Sequence, residues 1–506
     1  MALAKGLGPL QVLVAILVVR LASVFLVQTW FVPDEYWQTL EVAHKQVFGY
    51  GSLTWEWEKG IRSYLYPALV SVLYSVLKFT GLDYPEALVI LPRIFQALFS
   101  GYADYCFYQW TGRRKWALYL VLTAWFWFYT CSRTLLQTVE TALLIIALSK
   151  FPFKDGKLSY YEKESTLWLW IAVLSVFIRP TSAPMWIVFG LYNLFTTKEG
   201  RLRLVVRTYV PIVLIAGGAL VALDSYFHGV WIVTPWEFFK FNVINDIGSF
   251  YGEQPWYWYV THGLVSVISV NVLPLLLALL AVLQRPREHR VSLVLLAAVA
   301  VHIAVHSYIS HKELRFLLPV VPLLLYVQQE FVVRWSRKAP KWQLNIFAGL
   351  ILLGNVSLSG YFGVMHQAGT LKVMPMLRDA ASERNDTTLL FLMPCHSTPL
   401  YSHLHMNITT KYLSCAPPLE SIGQSTEAET FFNNPLRWWR NEYLNRATPH
   451  LLVMFDKLKG RVESVLQGYR LLHDVYHTQY PEGEVGERVL VFQKILSRPK
   501  TNDDVV

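Results

Sequence analysis

Apolar runs, the first of them long enough to cross a bilayer, recur along the first three-quarters of this chain, and they constrain its fold more than any other feature. They lie at about residues 10–27, 64–80, 86–110, 116–130, 134–150, 166–179, 183–197, 206–223, 260–283, 291–309, 314–333 and 343–363. Hydrocarbon offers the backbone no hydrogen-bond partners, so a segment inside it must be a helix or belong to a closed barrel. Runs of this length predict helices, because about 20 residues at 1.5 Å each cross a core about 30 Å thick. About eleven or twelve are expected, several interrupted by proline or charge. The first run contains Arg20 and no clear cleavage site, which predicts an uncleaved span. Composition agrees: 54% of residues are hydrophobic and 16% charged, against roughly 25% charged in soluble domains. Disordered chains, disulfide scaffolds and a single water-soluble domain are excluded. The net charge of +10 comes from short loops between apolar runs, not from a basic face that would suit nucleic acid.

Those loops set the sidedness. Lys150, Lys154, Lys157 and Lys163 form one basic cluster, and Lys198, Arg201, Arg203 and Arg207 a second. Arg285, Arg287 and Arg290 form a third, and Arg334, Arg337, Lys338 and Lys341 a fourth. The positive-inside rule makes all four cytosolic, with a cytosolic N-terminus. Loops 29–63 and 224–259 then lie on the opposite face with the tail. The tail holds two glycosylation sequons, at Asn385 and Asn407. A third, at Asn355, falls inside an apolar run. Cys395 and Cys415 lie in the same tail, where an oxidising compartment would permit a disulfide. Crossings between loop 29–63 and the basic loop near 150–165 must be odd in number, yet four runs intervene, so one near 64–80 or 116–150 is not a full span. The tail carries apolar runs of β character at 389–393, 451–455 and 489–492. The expected organisation is a transmembrane module over 1–369 and a small α/β domain over 370–506.

Three constellations carry candidate chemistry. Asp34 and Glu35 are adjacent carboxylates just outside the first span, among Trp30, Tyr36 and Trp37, with Trp55 further along the loop. Aromatic faces beside carboxylates suit a sugar ring, although the pair could equally open a helix, with Asp34 as its cap. Arg93, Arg133 and Arg179 lie in or at the ends of apolar runs. Charge there marks a functional path or a buried partner, unless the side chains reach an interface. For Arg133 that partner could be Glu140, two helical turns on. His311, Lys312 and Arg315, with Glu313 between them, place cations at the outer end of a span. They suit an anionic ligand or simple interfacial anchoring.

FVPDEYWQ (31–38), TWEWE (54–58), RSYLYP (62–67), SRTLLQTVET (132–141), IRPTSA (178–183), the TPWEFFKFN to YGEQPWYWY loop, SHKELRF (310–316) and MPCHSTPLYSH (393–403) together resemble a known family. It is the family of endoplasmic-reticulum mannosyltransferases of GT-C fold, which use dolichyl-phosphate mannose. PDEYWQ with MPCHSTP resembles the members that extend glycosylphosphatidylinositol (GPI) precursors more than those that build N-glycan precursors, which are the alternative. The resemblance implies a polytopic helical enzyme with a small α/β domain in the lumen, inverting, and needing no metal or cofactor. Its substrates would be dolichyl-phosphate mannose and the second mannose of a GPI lipid, extended through an α1,2 linkage. Asp34 would be the base and Glu35 would orient it or the acceptor. The donor phosphate would lie among His311, Lys312, Arg315, Arg179, Arg133 and Arg93, and the sugars among Trp30, Tyr36, Trp37 and Trp55.

Overall fold

The computed structural model describes residues 8–153, 163–197, 200–384, 386–417 and 425–495; Lys154, Lys157, Lys198 and Asn385 lie outside the described residues. Helix covers every one of the apolar runs. Among the described residues five helices, Pro9–Leu26, Arg201–His228, Tyr259–Gln284, Arg290–Tyr308 and Lys341–Ser382, are by length and composition sufficient to cross a membrane. The other described helices are shorter, broken or charged, and charge also enters the first of the five, where it has a partner. Arg20, fully buried in Pro9–Leu26, pairs with Asp104 of the neighbouring Pro85–Trp110 helix at 2.5 Å and donates to Val121 O at 2.8 Å. Trp127 Nε1 donates to the same carboxylate at 2.8 Å. An intramembrane arginine is tolerable on these terms.

The fourth run is two helices, Lys115–Thr123 and Trp125–Thr130, broken at Ala124. The amide freed by the break, Trp125 N–H, donates to Asn355 Oδ1 at 3.0 Å. Asn355 is fully buried, so the third sequon is a repair of broken backbone inside the membrane module.

The odd crossing is resolved by Leu65–Thr80. At its start, Ser63 Oγ and Tyr64 N–H both donate to Asp224 at 2.9 Å, and Asp224 lies near the end of the Val210–His228 helix. Near its end, Lys78 donates to Val47 O at 2.8 Å. Just beyond, Asp83 lies 3.7 Å from His405, and Glu86 pairs with Arg378 at 2.6 Å. Both ends therefore lie on the pole that carries loop 29–63 and the tail, here called the tail pole. Leu65–Thr80 lies along the surface with Leu69, Val72, Val76 and Phe79 exposed, the pattern of an interfacial helix. At the other pole, Trp110 packs on Tyr326 and Phe153, Arg114 reaches Gln329, and Arg334 reaches His289. Glu288, which neighbours both Arg285 and Arg334, lies there as well.

The tail forms a five-stranded sheet in the order β2 (Thr409–Tyr412), β1 (Thr388–Leu392), β3 (Leu451–Phe455), β5 (Arg488–Lys494), β4 (Tyr469–Tyr476). β2, β1 and β3 are parallel; β5 is antiparallel to β3 and β4. Both faces of its central strands are covered, which is why they read as unbroken apolar runs. Leu390, Leu452, Met454 and Phe492 pack on the Glu427–Asn433 and Pro435–Tyr443 helices. Leu389, Phe391, Val453 and Val491 share a second core with Val373 and Leu377 of the Gly369–Ser382 helix. That core runs on into Tyr36, Trp37, Leu40, Val70 and Tyr74 of the membrane module. Glu41, fully buried, fastens the two: its carboxylate accepts from the amides of Leu400, Tyr401 and Ser402 and from Ser402 Oγ, at 2.6–3.2 Å. Cys395 and Cys415 are disulfide-bonded.

Candidate active site

Pro33 ends the extended stretch after the first span and starts a helix that widens into a π-helical turn at Tyr36–Leu40 before continuing as Glu41–Phe48. In a helical turn adjacent side chains diverge by about 100°, so Asp34 and Glu35 face different surroundings. Asp34 lines a cavity of about 830 Å³ at the tail pole. It makes no capping bond and instead pairs with Arg315 at 2.6 Å. Glu35 is buried on the other side, 2.7 Å from Arg133.

Arg315 is the hub of the cavity. Its second nitrogen lies 2.5 Å from Glu313, which also accepts from His311 Nε2 at 2.8 Å. Arg62, held by Glu56 at 2.5 Å, and Arg179, 3.0 Å from Glu140 of the Leu136–Ser149 helix, line the same cavity. Burial alone would push the Asp34 carboxyl up, but Arg315, and behind it Arg62 and Arg179, outweigh burial and hold it below the usual carboxylate range. Glu313 is held low in the same sense by Arg315 and His311. His311 is held up: burial opposes its charge, and the hydrogen bond and charge of Glu313 prevail.

The cavity has two characters. Arg315, Arg62, Arg179, Asp34 and His311 line its polar end. Pro184, Ile187, Val305, Tyr308, Phe239 and Val243 line an apolar stretch between the Ala183–Thr196 and Arg290–Tyr308 helices and loop 229–258. An anion with an apolar chain fits that division, with guanidinium groups for its charge.

The structure brings some of the expected residues together and separates others. Asp34, Trp37, Trp55, Arg179, His311 and Arg315 line the cavity. Lys312 turns away, its ammonium donating to the carbonyls of Ile309, Gln254 and Ser310. Arg133 holds Glu35, donates to Thr29 O and Tyr129 O, and lies 4.2 Å from the Tyr129 ring. Its expected pairing with Glu140 fails because residues 131–135 leave the helix, so no shared helical face links them; Glu140 takes Arg179 instead. Arg93 donates to Val27 O at 2.5 Å. Trp30 stacks on Tyr36 at 5.0 Å inside the core shared with the tail. Glu56 and Arg62 were not singled out by sequence reasoning. Their one signal was membership of TWEWE and RSYLYP, since in hydropathy they are ordinary loop charges.

The sequence description of the Alg9-like mannosyltransferase family matches residues 11–405. "GPI mannosyltransferase 3" of Drosophila melanogaster is 46% identical over 493 residues, covering 96% of this chain and 86% of that protein. "GPI alpha-1,2-mannosyltransferase 3" of Danio rerio is 40% identical, covering 98% and 92%, and the Homo sapiens protein of that name is 34% identical, covering 94% and 86%. Among solved structures, ArnT from Cupriavidus metallidurans bound to undecaprenyl phosphate superposes with a TM-score of 0.60 at 12% identity, over 96% of this chain and 98% of that one. That protein is a membrane glycosyltransferase of GT-C fold, and this chain shares the fold.

Proposed function

The chain belongs to the Alg9-like mannosyltransferase family, and from that premise we propose that it transfers mannose from dolichyl-phosphate mannose to the second mannose of a GPI precursor, forming an α1,2 linkage. The tail pole faces the lumen of the endoplasmic reticulum in this reading. The observation that carries it is the cavity itself: the Asp34 carboxylate beside a guanidinium hub, with Glu56 and Glu313 each held by an arginine, and apolar residues lining the rest.

The chemistry asks for little more. A lipid phosphate is a competent leaving group, so a general acid is unnecessary; the acceptor hydroxyl must lose a proton and the phosphate charge must be met. Asp34 takes the proton while the hydroxyl oxygen bonds to C1 of mannose. The C1–O bond to phosphate breaks on the opposite face, and its electron pair leaves with the dolichyl phosphate. Attack opposite the leaving group inverts the anomeric centre, as in inverting glycosidases with one carboxylate made unnecessary. Arg315 links the two halves. Paired among the described residues with Asp34 and Glu313, it holds Asp34 a weak base. A phosphate sharing Arg315, with Arg62 and Arg179, draws its charge away and raises the basicity of Asp34 once the donor is bound. With cations supplied by side chains, the proposed reaction is metal-independent. Holding both substrates by their lipid anchors at one surface lowers the entropic cost of bringing them together.

Cells lacking the protein are expected to accumulate a two-mannose GPI intermediate and to lose GPI-anchored surface proteins, with N-glycan precursors at full length. Shortened N-glycan precursors with intact surface anchors would refute the acceptor assignment.

A further inference from the structure

The tail domain does more than rest on the membrane module. Its segment 394–402 reaches the cavity, where Cys395, His396 and Cys415 join Asp34 and Trp37 in the lining. Three restraints hold that segment: the Cys395–Cys415 disulfide, a hydrogen bond from Trp37 Nε1 to Thr398 O at 3.0 Å, and the Glu41 carboxylate on the amides of Leu400–Ser402. Within the clamp His396 has φ +59°, a left-handed conformation that side chains beyond glycine adopt at a cost and that recurs at binding sites. Its ring stands edge-on to Trp37, centroids 4.5 Å apart, and Nδ1 lies 3.8 Å from Cys415 Sγ. His396 is half-buried at the cavity wall, and no hydrogen bond to its Nε2 occurs among the described residues. A half-buried ring carried to a cavity wall by costly backbone, with one nitrogen open to the cavity, is placed to meet a ligand there.

The chemistry of the ring selects its ligand. Burial lowers the His396 pKa to about 4, with Asp34 opposing, so the imidazole is neutral and offers no charge to a phosphate. It offers one hydrogen bond beside the face of an indole, which suits a sugar hydroxyl. The arginines enter from the membrane module and His396 from the tail, so the two could grip different substrates.

We propose that His396 is an acceptor-positioning residue: its Nε2 hydrogen-bonds a hydroxyl of the acceptor glycan beside Asp34, and the disulfide is the mount that holds it there. This rests on reading the cavity as the mannosyl-transfer site. The test is initial-rate kinetics of the full chain with dolichyl-phosphate mannose and a synthetic two-mannose GPI lipid, varied independently. His396→Ala should raise KM for the acceptor by about 5–10-fold, the worth of one neutral hydrogen bond, with donor KM and kcat changed less than about twofold. His396→Gln, which can place an amide near the same point, should recover most of that loss. Cys395→Ser/Cys415→Ser should reproduce the alanine effect. Should that double variant fail to fold, dithiothreitol applied to folded enzyme should raise acceptor KM in the wild type and leave it unmoved in His396→Ala. An unchanged acceptor KM in His396→Ala, or a donor KM that rises equally, overturns the proposal. A wild-type enzyme inert toward this acceptor overturns instead the function on which it rests.

Discussion

Adjacent carboxylates of identical sequence context should fail in opposite ways when neutralised. Asp34→Asn removes the proton acceptor from the cavity while keeping its shape and volume. Losing a positioned general base costs about 10²–10⁴ in rate, or about 2.7–5.5 kcal/mol of barrier at 1.36 kcal/mol per decade. Arg315 keeps Glu313 as partner, so the fold should be little disturbed. Glu35→Gln leaves a nearly fully buried Arg133 without its counter-ion. Breaking a buried pair costs about 3–5 kcal/mol. The lower end applies here, because glutamine keeps an acceptor oxygen and Arg133 keeps Thr29 O and Tyr129 O. The expected pattern is Asp34→Asn well folded and at or below about 1% of wild-type turnover. Glu35→Gln should give reduced yield and earlier heat inactivation, with near-normal turnover per folded molecule. Both follow from mannose transfer by purified protein, read beside the fraction surviving graded heating by size-exclusion fluorescence. A heat-stable, inactive Glu35→Gln with an active Asp34→Asn would reverse the assignment; activity in both would make the loop structural.

Further outcomes follow from the same contacts. Because the folded pKa of Asp34 is depressed, the stability it contributes is present above the ordinary carboxylate range and lost as pH falls through the folded value; Arg315→Gln removes the cation that outweighs burial, so the acid limb of kcat/KM should move to higher pH, and an unmoved limb would contradict the pairing. Endoglycosidase should shift the mobility of the wild type, and Asn385→Gln with Asn407→Gln should abolish that shift; Asn355→Gln should leave glycosylation unchanged and lower heat stability, since Trp125 N–H loses its acceptor. Glu41→Ala removes the acceptor of four hydrogen bonds, so limited proteolysis should release the tail domain faster while the helices stay membrane-inserted; an unchanged cleavage rate would show the clasp to be dispensable.

Apolar run length and loop charge made the helical module legible, because lipid allows a chain so few choices. They could not tell Leu65–Thr80 from a span. A helix lying on a membrane and one crossing it can share the same hydropathy, and the difference rests on contacts at its two ends, from Asp224 and His405, distant in sequence. β2 and β4 went unread because their exposed, mixed sequences lack the buried apolar run that marked β1, β3 and β5. At the site, the Asp-Glu pair and the HKELRF cluster were visible, but their partners were not. Arg133 was matched to Glu140 on the premise of a continuous helix, and a five-residue interruption gave each a different counter-ion. Lys312 shows the same limit: nothing local distinguishes an ammonium that faces a cavity from one that collects carbonyls.

The surface-lying Leu65–Thr80 helix also sets an altitude. Ser71 Oγ donates to Gln46 at 2.5 Å, and Val70 and Tyr74 pack in one core with Tyr36 and Leu40, so this helix is bolted beneath the element that begins at Asp34. If its exposed apolar side rests in the upper edge of the hydrocarbon, as the proposed function requires, Asp34 is kept at a constant height above the lipid. A glycan rooted in that lipid rises by a fixed step with every sugar added. On the proposed function, a base fixed in height would favour an acceptor of matching height over sugars nearer the membrane or farther above it.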